Sequence, residues 1–249
     1  MLASHPGFPH PREMAALSSE ISKATRPDFR HVDAWIFDLD NTLYPASSDL
    51  FAQIDARMTK FVGEHLGIDA NEARALQKAY YRDHGTTLSG LMRMHGVAPD
   101  DFLSYVHDID LGVLAPDPAL RPAIERLPGR RFIFTNGCRK HAARVLARLE
   151  IENLFEDVWD IKTVSFRPKP DPDGYRFVLD RWAIAPARAA MFEDAARNLV
   201  PAQELGMTTV WLKNGSPWSK QGPEHPVPGA GHIHYETGNL TQFLHSIRI

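Results

Sequence analysis

The hydrophobic pattern of the chain changes at a short apolar run that ends in acidic residues. Residues 34–37 read Ala-Trp-Ile-Phe, and such a run predicts a strand buried on both faces, as in the centre of a parallel sheet. Asp38 and Asp40 follow, and alternate residues of extended backbone point the same way. Because two adjacent carboxylates repel each other, the pair indicates a divalent cation between them. A turn in which Asp40 or Asn41 only caps the next segment is the alternative.

Helical periodicity dominates the next part of the chain. Apolar residues between positions 50 and 66 lie on one helical face, and Gly67 is expected to end that helix. Further helices are predicted over residues 69–83, 88–95 and 99–107. A helical block of about 70 residues is long for a simple crossover between strands. We therefore predict an inserted helical cap domain at residues 47–115.

The rest of the chain alternates between short apolar strands and helices. Strands are predicted over residues 130–134, 158–161, 189–192 and 208–212, with an edge strand at 232–235. Helices are predicted over residues 119–127, 140–149, 173–182, 197–205 and 240–246. This alternation predicts an α/β fold with a doubly wound parallel sheet, Rossmann-like in type. We expect the core domain at residues 32–46 and 116–249, preceded by an N-terminal extension at 1–31 with a short helix over 13–24.

Polar residues end several of these strands. The carboxyl ends of parallel strands meet at one edge of a sheet, where ligands bind, so these side chains are expected to lie together. They are Asp38 and Asp40, then Thr135 and Asn136, then Glu193 and Asp194. Lys169 joins them from a stiff loop in which it is flanked by two prolines. The predicted site combines carboxylates, a hydroxyl group and an ammonium group.

These groups suit metal-assisted chemistry on a phosphate. Carboxylate oxygens are the ligands that Mg²⁺ prefers, while the Lys169 ammonium, Thr135 hydroxyl and Asn136 amide suit phosphate oxygens. A carboxylate that is ionised at neutral pH can attack phosphorus. We therefore predict Asp38 as the nucleophile, and Asp40 as the general acid and then the general base.

Composition narrows the class of protein. The chain has 249 residues and a net charge of −3, without the basic footprint of a protein that binds nucleic-acid polymers. Cys138 is the single cysteine, which excludes an internal disulfide framework and a cysteine-rich zinc site. No apolar stretch of about 18 residues predicts a membrane-spanning helix, and residues 1–12 lack the apolar core of a signal peptide. A cytoplasmic monomer or homodimer is expected. The histidines near the C-terminus, His225, His232 and His234, match no metal-site pattern.

The motifs resemble those of the haloacid dehalogenase superfamily. Residues 38–42, Asp-Leu-Asp-Asn-Thr, are similar to its first motif. Its second, third and fourth motifs are matched by Thr135, by Lys169, and by Glu193-Asp194 with Asn198. Order and spacing agree over residues 32–215. The resemblance implies an aspartyl-phosphate mechanism, with Mg²⁺ held by Asp38, the backbone carbonyl of Asp40, and Asp194, and with Glu193 close by.

Within that superfamily, three stretches resemble bacterial pyrimidine 5′-nucleotidases. They are residues 37–45, 80–87 and 192–199. This resemblance implies hydrolysis of UMP and CMP, and Asp40 favours a phosphatase over a dehalogenase because an ester oxygen needs a proton to leave. A phosphatase of another small metabolite such as a sugar phosphate, a phosphomutase, and a catalytically idle binding protein on the same fold are the alternatives.

The helical segment holds candidates for contact with the substrate. Tyr80 and Tyr81 can either stack on a base or pack inside the helical segment. Arg82, His84 and Thr87 can either contact the substrate or serve as solvated residues at helix ends.

Overall fold

The computed structural model of the chain describes residues 26–213, 215 and 231–249. The strands in these residues are β1 (Ala34–Phe37), β2 (Arg130–Phe134), β3 (Asp157–Trp159), β4 (Ala189–Glu193), β5 (Thr208–Leu212) and β6 (Tyr235–Thr237). They form one sheet in the order β3-β2-β1-β4-β5-β6, and every neighbouring pair is parallel. The predicted α/β fold is therefore confirmed. The helix predicted over residues 13–24 and the side chain of His225 lie outside the described residues.

The first strand is the central one, as its sequence predicts. All four residues of β1 are buried, and the strand pairs with β2 on one side and with β4 on the other. Phe37 is in register with Ile133 of β2 and with Phe192 of β4. The next residue is therefore Asp38 after β1, Phe134 in β2 and Glu193 in β4. These three residues lie at the same level of the sheet edge.

Nine α-helices lie between and after the strands of the described residues. They are α1 (Leu50–Leu66), α2 (Ala70–His84), α3 (Thr87–His95), α4 (Pro99–Val106), α5 (Leu120–Glu125), α6 (Arg139–Arg148), α7 (Pro172–Arg181), α8 (Leu199–Glu204) and α9 (Leu240–Ser246). Local signals set their ends. Gly67 ends α1 in the left-handed conformation, with φ of 66°. Asp69 and Glu72 form a capping box that starts α2.

The helices α1 to α4 follow one another between β1 and β2 and contact mainly each other. This arrangement agrees with the segment in which the sequence predicts a helical insertion. The assignment of residues 47–115 as a separate domain stays a prediction. Among the described residues, no helix is both long enough and apolar enough to cross a membrane.

Several element boundaries differ by one to three residues from those that the sequence predicts. The strand expected at 158–161 lies at Asp157–Trp159, and the helix expected at 197–205 starts with a 3-10 turn at Ala196–Asn198 before α8. The edge strand expected at 232–235 lies at Tyr235–Thr237. This strand starts later than expected because Thr209 of β5 holds the two histidines that precede it. The Thr209 hydroxyl donates to the His232 carbonyl oxygen at 2.6 Å, and the Thr209 N–H donates to Nδ1 of His234 at 3.1 Å.

The described end of the predicted N-terminal extension packs against the core. Phe29 is fully buried, and its ring stacks on Trp35 with centroids 5.7 Å apart. Its backbone N–H donates to the carbonyl oxygen of Arg248 at 2.8 Å. The core of the protein thus begins before residue 32 and includes this aromatic contact.

Candidate active site

One buried ammonium group joins three neighbouring strand ends. Lys169 Nζ donates to Asp38 Oδ1, Glu193 Oε2 and the Phe134 carbonyl oxygen, each at 2.7 Å. Only 1% of Lys169 is exposed, so a charge that is expensive to bury is fully hydrogen-bonded. Burial opposes its charged form, but the two carboxylates outweigh burial and raise the pKa of Lys169 above its usual value. Lys169 is therefore a permanent cation at the centre of the sheet edge.

The loop that carries Lys169 is fixed to the end of β2 by Asn136. The Asn136 amide nitrogen donates to the Lys169 carbonyl oxygen at 3.0 Å, and the Lys169 N–H donates to the Asn136 side-chain oxygen at 2.8 Å. Both polar atoms of this amide are thus engaged by the lysine backbone. Asn136 holds the lysine loop in place, and a contribution of its side chain to phosphate binding stays a prediction.

Asp38 lies at the end of β1 with both carboxylate oxygens hydrogen-bonded. Oδ1 accepts from Lys169, and Oδ2 accepts from the Thr42 hydroxyl at 3.0 Å. Burial and the nearby Glu193 carboxylate raise the pKa of Asp38 to about 7, although Lys169 acts in the opposite direction. Negative charge at this position is therefore costly unless further positive charge is supplied.

Asp38, Glu193 and Asp194 form an acidic cluster that suits a divalent cation. Each offers a ligand oxygen, and these oxygens lie within 4.8 Å of one another. Burial, and then the Glu193 and Asp38 carboxylates, raise the pKa of Asp194 well above its usual value. Three carboxylates face one ammonium group here, so the cluster lacks positive charge. A hard cation with oxygen ligands, such as Mg²⁺, would supply that charge.

The two acidic residues of the β4 end have different surroundings. Glu193 already accepts from Lys169 through Oε2 and from the Ala195 N–H through Oε1 at 3.1 Å. Asp194 has no comparable hydrogen bond from an ammonium group among the described residues. Among the described residues, Asp194 is therefore the carboxylate of the cluster that Lys169 does not already engage.

Thr135 presents its hydroxyl group to the same space. Its Oγ1 accepts from the Gly137 N–H at 2.9 Å, and the residue is 1% exposed while lining the cavity above the carboxylates. Since the oxygen accepts that bond, its own hydrogen stays available as a donor. This arrangement suits a contact with a phosphate oxygen.

Asp40 is separated from the lysine and is held by two other side chains. The Tyr44 hydroxyl donates to Asp40 Oδ1 at 2.6 Å, and His141 Nε2 lies 2.9 Å from the same oxygen. Burial acts to raise the pKa of Asp40, but His141 and the hydrogen bonds from His141 and Tyr44 outweigh burial, so that pKa lies below its usual value. Sequence reasoning missed Tyr44 and His141 as site residues, because neither belongs to a strand-end motif.

A cavity of about 160 Å³ connects the carboxylates to the helical segment. Its helical wall is largely apolar and includes Phe51, Ile54, Met58, Leu88, Phe102 and Leu103. Tyr80 and Tyr81, the two tyrosines that the sequence offers for stacking, occupy different positions. Tyr81 lines the cavity, while Tyr80 packs against Gly90 and lies 2.5 Å from His95 Nε2 through its hydroxyl. Of these two tyrosines, Tyr81 is thus the one available to a substrate.

The other residues proposed for substrate contact differ in position. Thr87 lines the cavity and donates to the Gln77 carbonyl oxygen at 3.3 Å. Arg82 is exposed and pairs with Asp83 at 2.9 Å, and the His84 ring contacts the edge of Tyr80. Of these three residues, Thr87 is the one that the structure places at the cavity wall.

A polar group interrupts the apolar wall, and sequence reasoning missed it. Asp55 is buried and accepts from Gln77 at 2.8 Å, from Lys78 at 2.5 Å and from Arg74 at 3.2 Å. Asp55, Gln77 and Lys78 all line the cavity. Lys78 is the cation of this group that lines the cavity, whereas the Arg74 side chain is 57% exposed and lies outside the cavity lining.

Comparison with known proteins identifies the relatives of this chain. A family model described as haloacid dehalogenase-like hydrolase matches residues 32–206. Phosphate metabolism protein 8 of Saccharomyces cerevisiae is 29% identical over 191 residues, which cover 70% of this chain but only 59% of that protein. The phosphorylated carbohydrates phosphatase of Thermotoga maritima is 24% identical over 187 residues, covering 72% and 84% of the two chains. The solved structure of YfnB from Bacillus subtilis has the same fold, with a TM-score of 0.56 and 17% identity over 88% of this chain and 99% of that one.

We expect the contribution of Asp38 to the free energy of unfolding of the metal-free protein to fall as pH rises from about 4 to about 7. In this range the folded state retains a proton on Asp38, whose pKa is about 7, whereas an unfolded carboxyl with pKa 3.8 has lost it. One such proton changes stability by up to about 1.4 kcal/mol per pH unit. Asp38→Asn removes that proton uptake, so the difference in the free energy of unfolding between the wild type and this variant should fall as pH rises.

Urea denaturation in the presence of a chelator measures these slopes. Asp83→Asn is the matched control, because the Asp83 carboxylate is exposed and lies outside the cluster. This variant should keep the wild-type slope. Equal slopes for the wild type and Asp38→Asn would show that Asp38 does not retain a proton in the folded state over this pH range.

Proposed function

Because the chain belongs to the haloacid dehalogenase-like hydrolase family, we propose that it is a Mg²⁺-dependent phosphomonoesterase of a small phosphorylated metabolite. The observation that carries this proposal is the position of Asp38, which accepts a hydrogen bond from the Lys169 ammonium group, belongs to the acidic cluster and lines the cavity. The name of the Thermotoga relative, a phosphatase of phosphorylated carbohydrates, supports the same class of reaction.

In the first step, an Asp38 carboxylate oxygen attacks the phosphorus atom of the ester. The bond between phosphorus and the ester oxygen breaks, and the leaving alkoxide takes a proton from Asp40. Without substrate the pKa of Asp40 lies below its usual value. A bound phosphate brings negative charge close to Asp40, which favours the protonated form that this step needs.

In the second step, Asp40 acts as the general base. It accepts a proton from a water molecule, whose oxygen attacks the phosphorus atom of the aspartyl phosphate. The bond between phosphorus and Asp38 breaks, inorganic phosphate forms, and the Asp38 carboxylate is restored. Lys169 and the Thr135 hydroxyl stabilise negative charge on the phosphoryl oxygens in both steps.

Asp38 and Asp194 would hold the metal ion, and the backbone carbonyl of Asp40 is the third ligand that the family resemblance implies. When bound, Mg²⁺ neutralises charge between an anionic nucleophile and an anionic phosphate. The raised pKa values of Asp38 and Asp194 support this assignment, since both indicate missing positive charge at the cluster.

For the substrate, we propose a pyrimidine nucleoside 5′-monophosphate. The resemblance to pyrimidine 5′-nucleotidases supports it, and so does the cavity wall, where Tyr81, Phe51 and Phe102 offer flat apolar surface to a base. The polar group at Asp55, Gln77 and Lys78 offers hydrogen bonds to the base edge or the ribose. A sugar phosphate is the second candidate, because the Thermotoga relative bears the name of a carbohydrate phosphatase.

The nucleophile is tested by substitution and by trapping of the covalent intermediate. Asp38→Asn should reduce turnover to background while the protein stays folded, because an amide does not attack phosphorus. Asp40→Asn should lower kcat by about 10²–10⁴-fold, the range for loss of general acid–base catalysis. Mass spectrometry of rapidly quenched reactions should find a phosphoryl group on the peptide that contains Asp38. A phosphoryl group on another residue, or turnover by Asp38→Asn, would contradict the mechanism.

Removal of the metal tests the cofactor. Chelation should stop hydrolysis, and added Mg²⁺ should restore it. Mg²⁺ at a hundred times its Kd should also stabilise the folded protein by about 2.7 kcal/mol, and Asp194→Asn should lose most of that stabilisation. Asp83→Asn is expected to respond like the wild type. Full activity in the chelator would reject the metal.

Phosphate release from a panel of esters tests the substrate. UMP and CMP should be hydrolysed with higher kcat/KM than AMP, GMP or sugar phosphates. Tyr81→Ala should raise KM for UMP by about 10-fold, since stacking of a base on an aromatic ring contributes about 1–3 kcal/mol, whereas Tyr81→Phe keeps the ring and should differ little. Faster hydrolysis of sugar phosphates would support the proposed phosphatase activity but would contradict the proposed nucleotide substrate.

A further inference from the structure

Within residues 26–213, 215 and 231–249, the carboxylate of Asp40 is held through one of its two oxygens. Oδ1 receives the Tyr44 hydroxyl at 2.6 Å and faces His141 Nε2 at 2.9 Å. These two partners come from different parts of the fold, Tyr44 from the segment after β1 and His141 from α6. Both are almost completely buried, whereas 14% of the Asp40 side chain is exposed.

We propose that Tyr44 and His141 are positioning residues that direct Oδ2 of Asp40 at the leaving-group oxygen of the substrate. This inference rests on the proposed role of Asp40 as the general acid. A carboxylate rotates broadly about its last side-chain bond, and two donors on one oxygen remove that freedom. Because each carboxylate oxygen accepts about two hydrogen bonds, Oδ1 is saturated. The proton that Asp40 transfers is therefore carried by Oδ2.

The surroundings of His141 indicate that this contact is its function. Within the described part of the chain, its Nδ1 is buried and has no hydrogen-bond partner, so the bond to Asp40 is the polar contact of the ring. A histidine that served only to satisfy its own polar atoms in the core would have partners at both nitrogens. His141 directs its one hydrogen bond at the carboxylate beside the reaction centre.

The orientation of the His141 ring is fixed by His107, which follows α4. The two rings stack with centroids 4.3 Å apart and planes 9° apart. His107 is itself held from α6, because Arg144 donates to its carbonyl oxygen at 2.8 Å. Its Nδ1 also lies 3.3 Å from Cys138 Sγ. The ring that orients Asp40 is thus clamped where the helical segment returns to the sheet.

The dependence of rate on the leaving group tests the proposal. An alkyl phosphate such as the preferred nucleotide releases an alkoxide that needs a proton, whereas p-nitrophenyl phosphate releases a stable phenolate that does not. His141→Leu should lower kcat/KM for the alkyl ester by at least about 10-fold, part of the range for general acid catalysis. On p-nitrophenyl phosphate it should change kcat/KM by less than about 3-fold, because kcat/KM reports formation of the aspartyl phosphate and not its later hydrolysis, in which Asp40 acts as the base for both esters. His141→Gln, which retains a donor, should recover part of the lost rate.

Tyr44→Phe removes the other donor and should show the same selective loss, so the proposal stays testable if His141→Leu does not fold. His95→Leu is the matched control. His95 also contacts a tyrosine hydroxyl, that of Tyr80, but lies outside the residues that line the cavity, so both rates should stay at the wild-type level.

Two results would overturn the proposal in distinguishable ways. If Asp40→Asn is selective for the alkyl ester while Tyr44→Phe and His141→Leu slow both esters equally, Asp40 is the acid but these residues do not orient it. If Asp40→Asn itself shows no selectivity, the assigned role of Asp40 fails, and the positioning role fails with it.

Discussion

The arrangement of the site depends on the three hydrogen bonds of one buried ammonium group. β2, β1 and β4 end at the same level because they are parallel and in register, and Lys169 contacts the end of each at 2.7 Å. Removing a charge from water costs several kcal/mol, so this lysine is tolerated only with a full set of acceptors. The requirement acts in both directions: the lysine holds the carboxylates together, and the carboxylates keep it charged.

The fold followed from the sequence because its signals are local. The apolar run of β1, the alternation of strands and helices, and Gly67 at a helix end all act within a few neighbouring residues. The polar residues at the ends of β1, β2 and β4 could also be predicted to lie together, because these parallel strands are aligned in register. His141 could not be found in this way, because it meets Asp40 across 101 residues of sequence. The polar group around Asp55 was missed likewise, since its partners come from a second helix.

The residues of the proposed chemistry and those of the proposed substrate recognition come from different parts of the chain. The carboxylates, the lysine and the threonine belong to the sheet edge, whereas Tyr81, Lys78 and most of the apolar wall belong to α1 to α4. Arg197 links the two parts: its guanidinium lies 4.1 Å from the centre of the Tyr81 ring, and it donates to the Gly85 carbonyl oxygen at 3.2 Å. Because Arg197 follows Asp194 closely in sequence, the acidic cluster and the helical wall are connected through a few residues.

The paired hydrogen bonds between Asn136 and Lys169 restrict what this position can be. The Asn136 amide presents one donor and one acceptor to the backbone carbonyl and N–H of a single residue, Lys169, in the manner of a hydrogen-bonded residue on a neighbouring antiparallel strand. Aspartate has the right length but would set an oxygen against the Lys169 carbonyl. Glutamine has both groups but carries one methylene too many for the same backbone separation. Leucine is close to asparagine in size and has neither group. Among the genetically encoded side chains, asparagine alone combines this side-chain length with one donor and one acceptor. The length of its side chain therefore sets the distance between the lysine loop and the sheet.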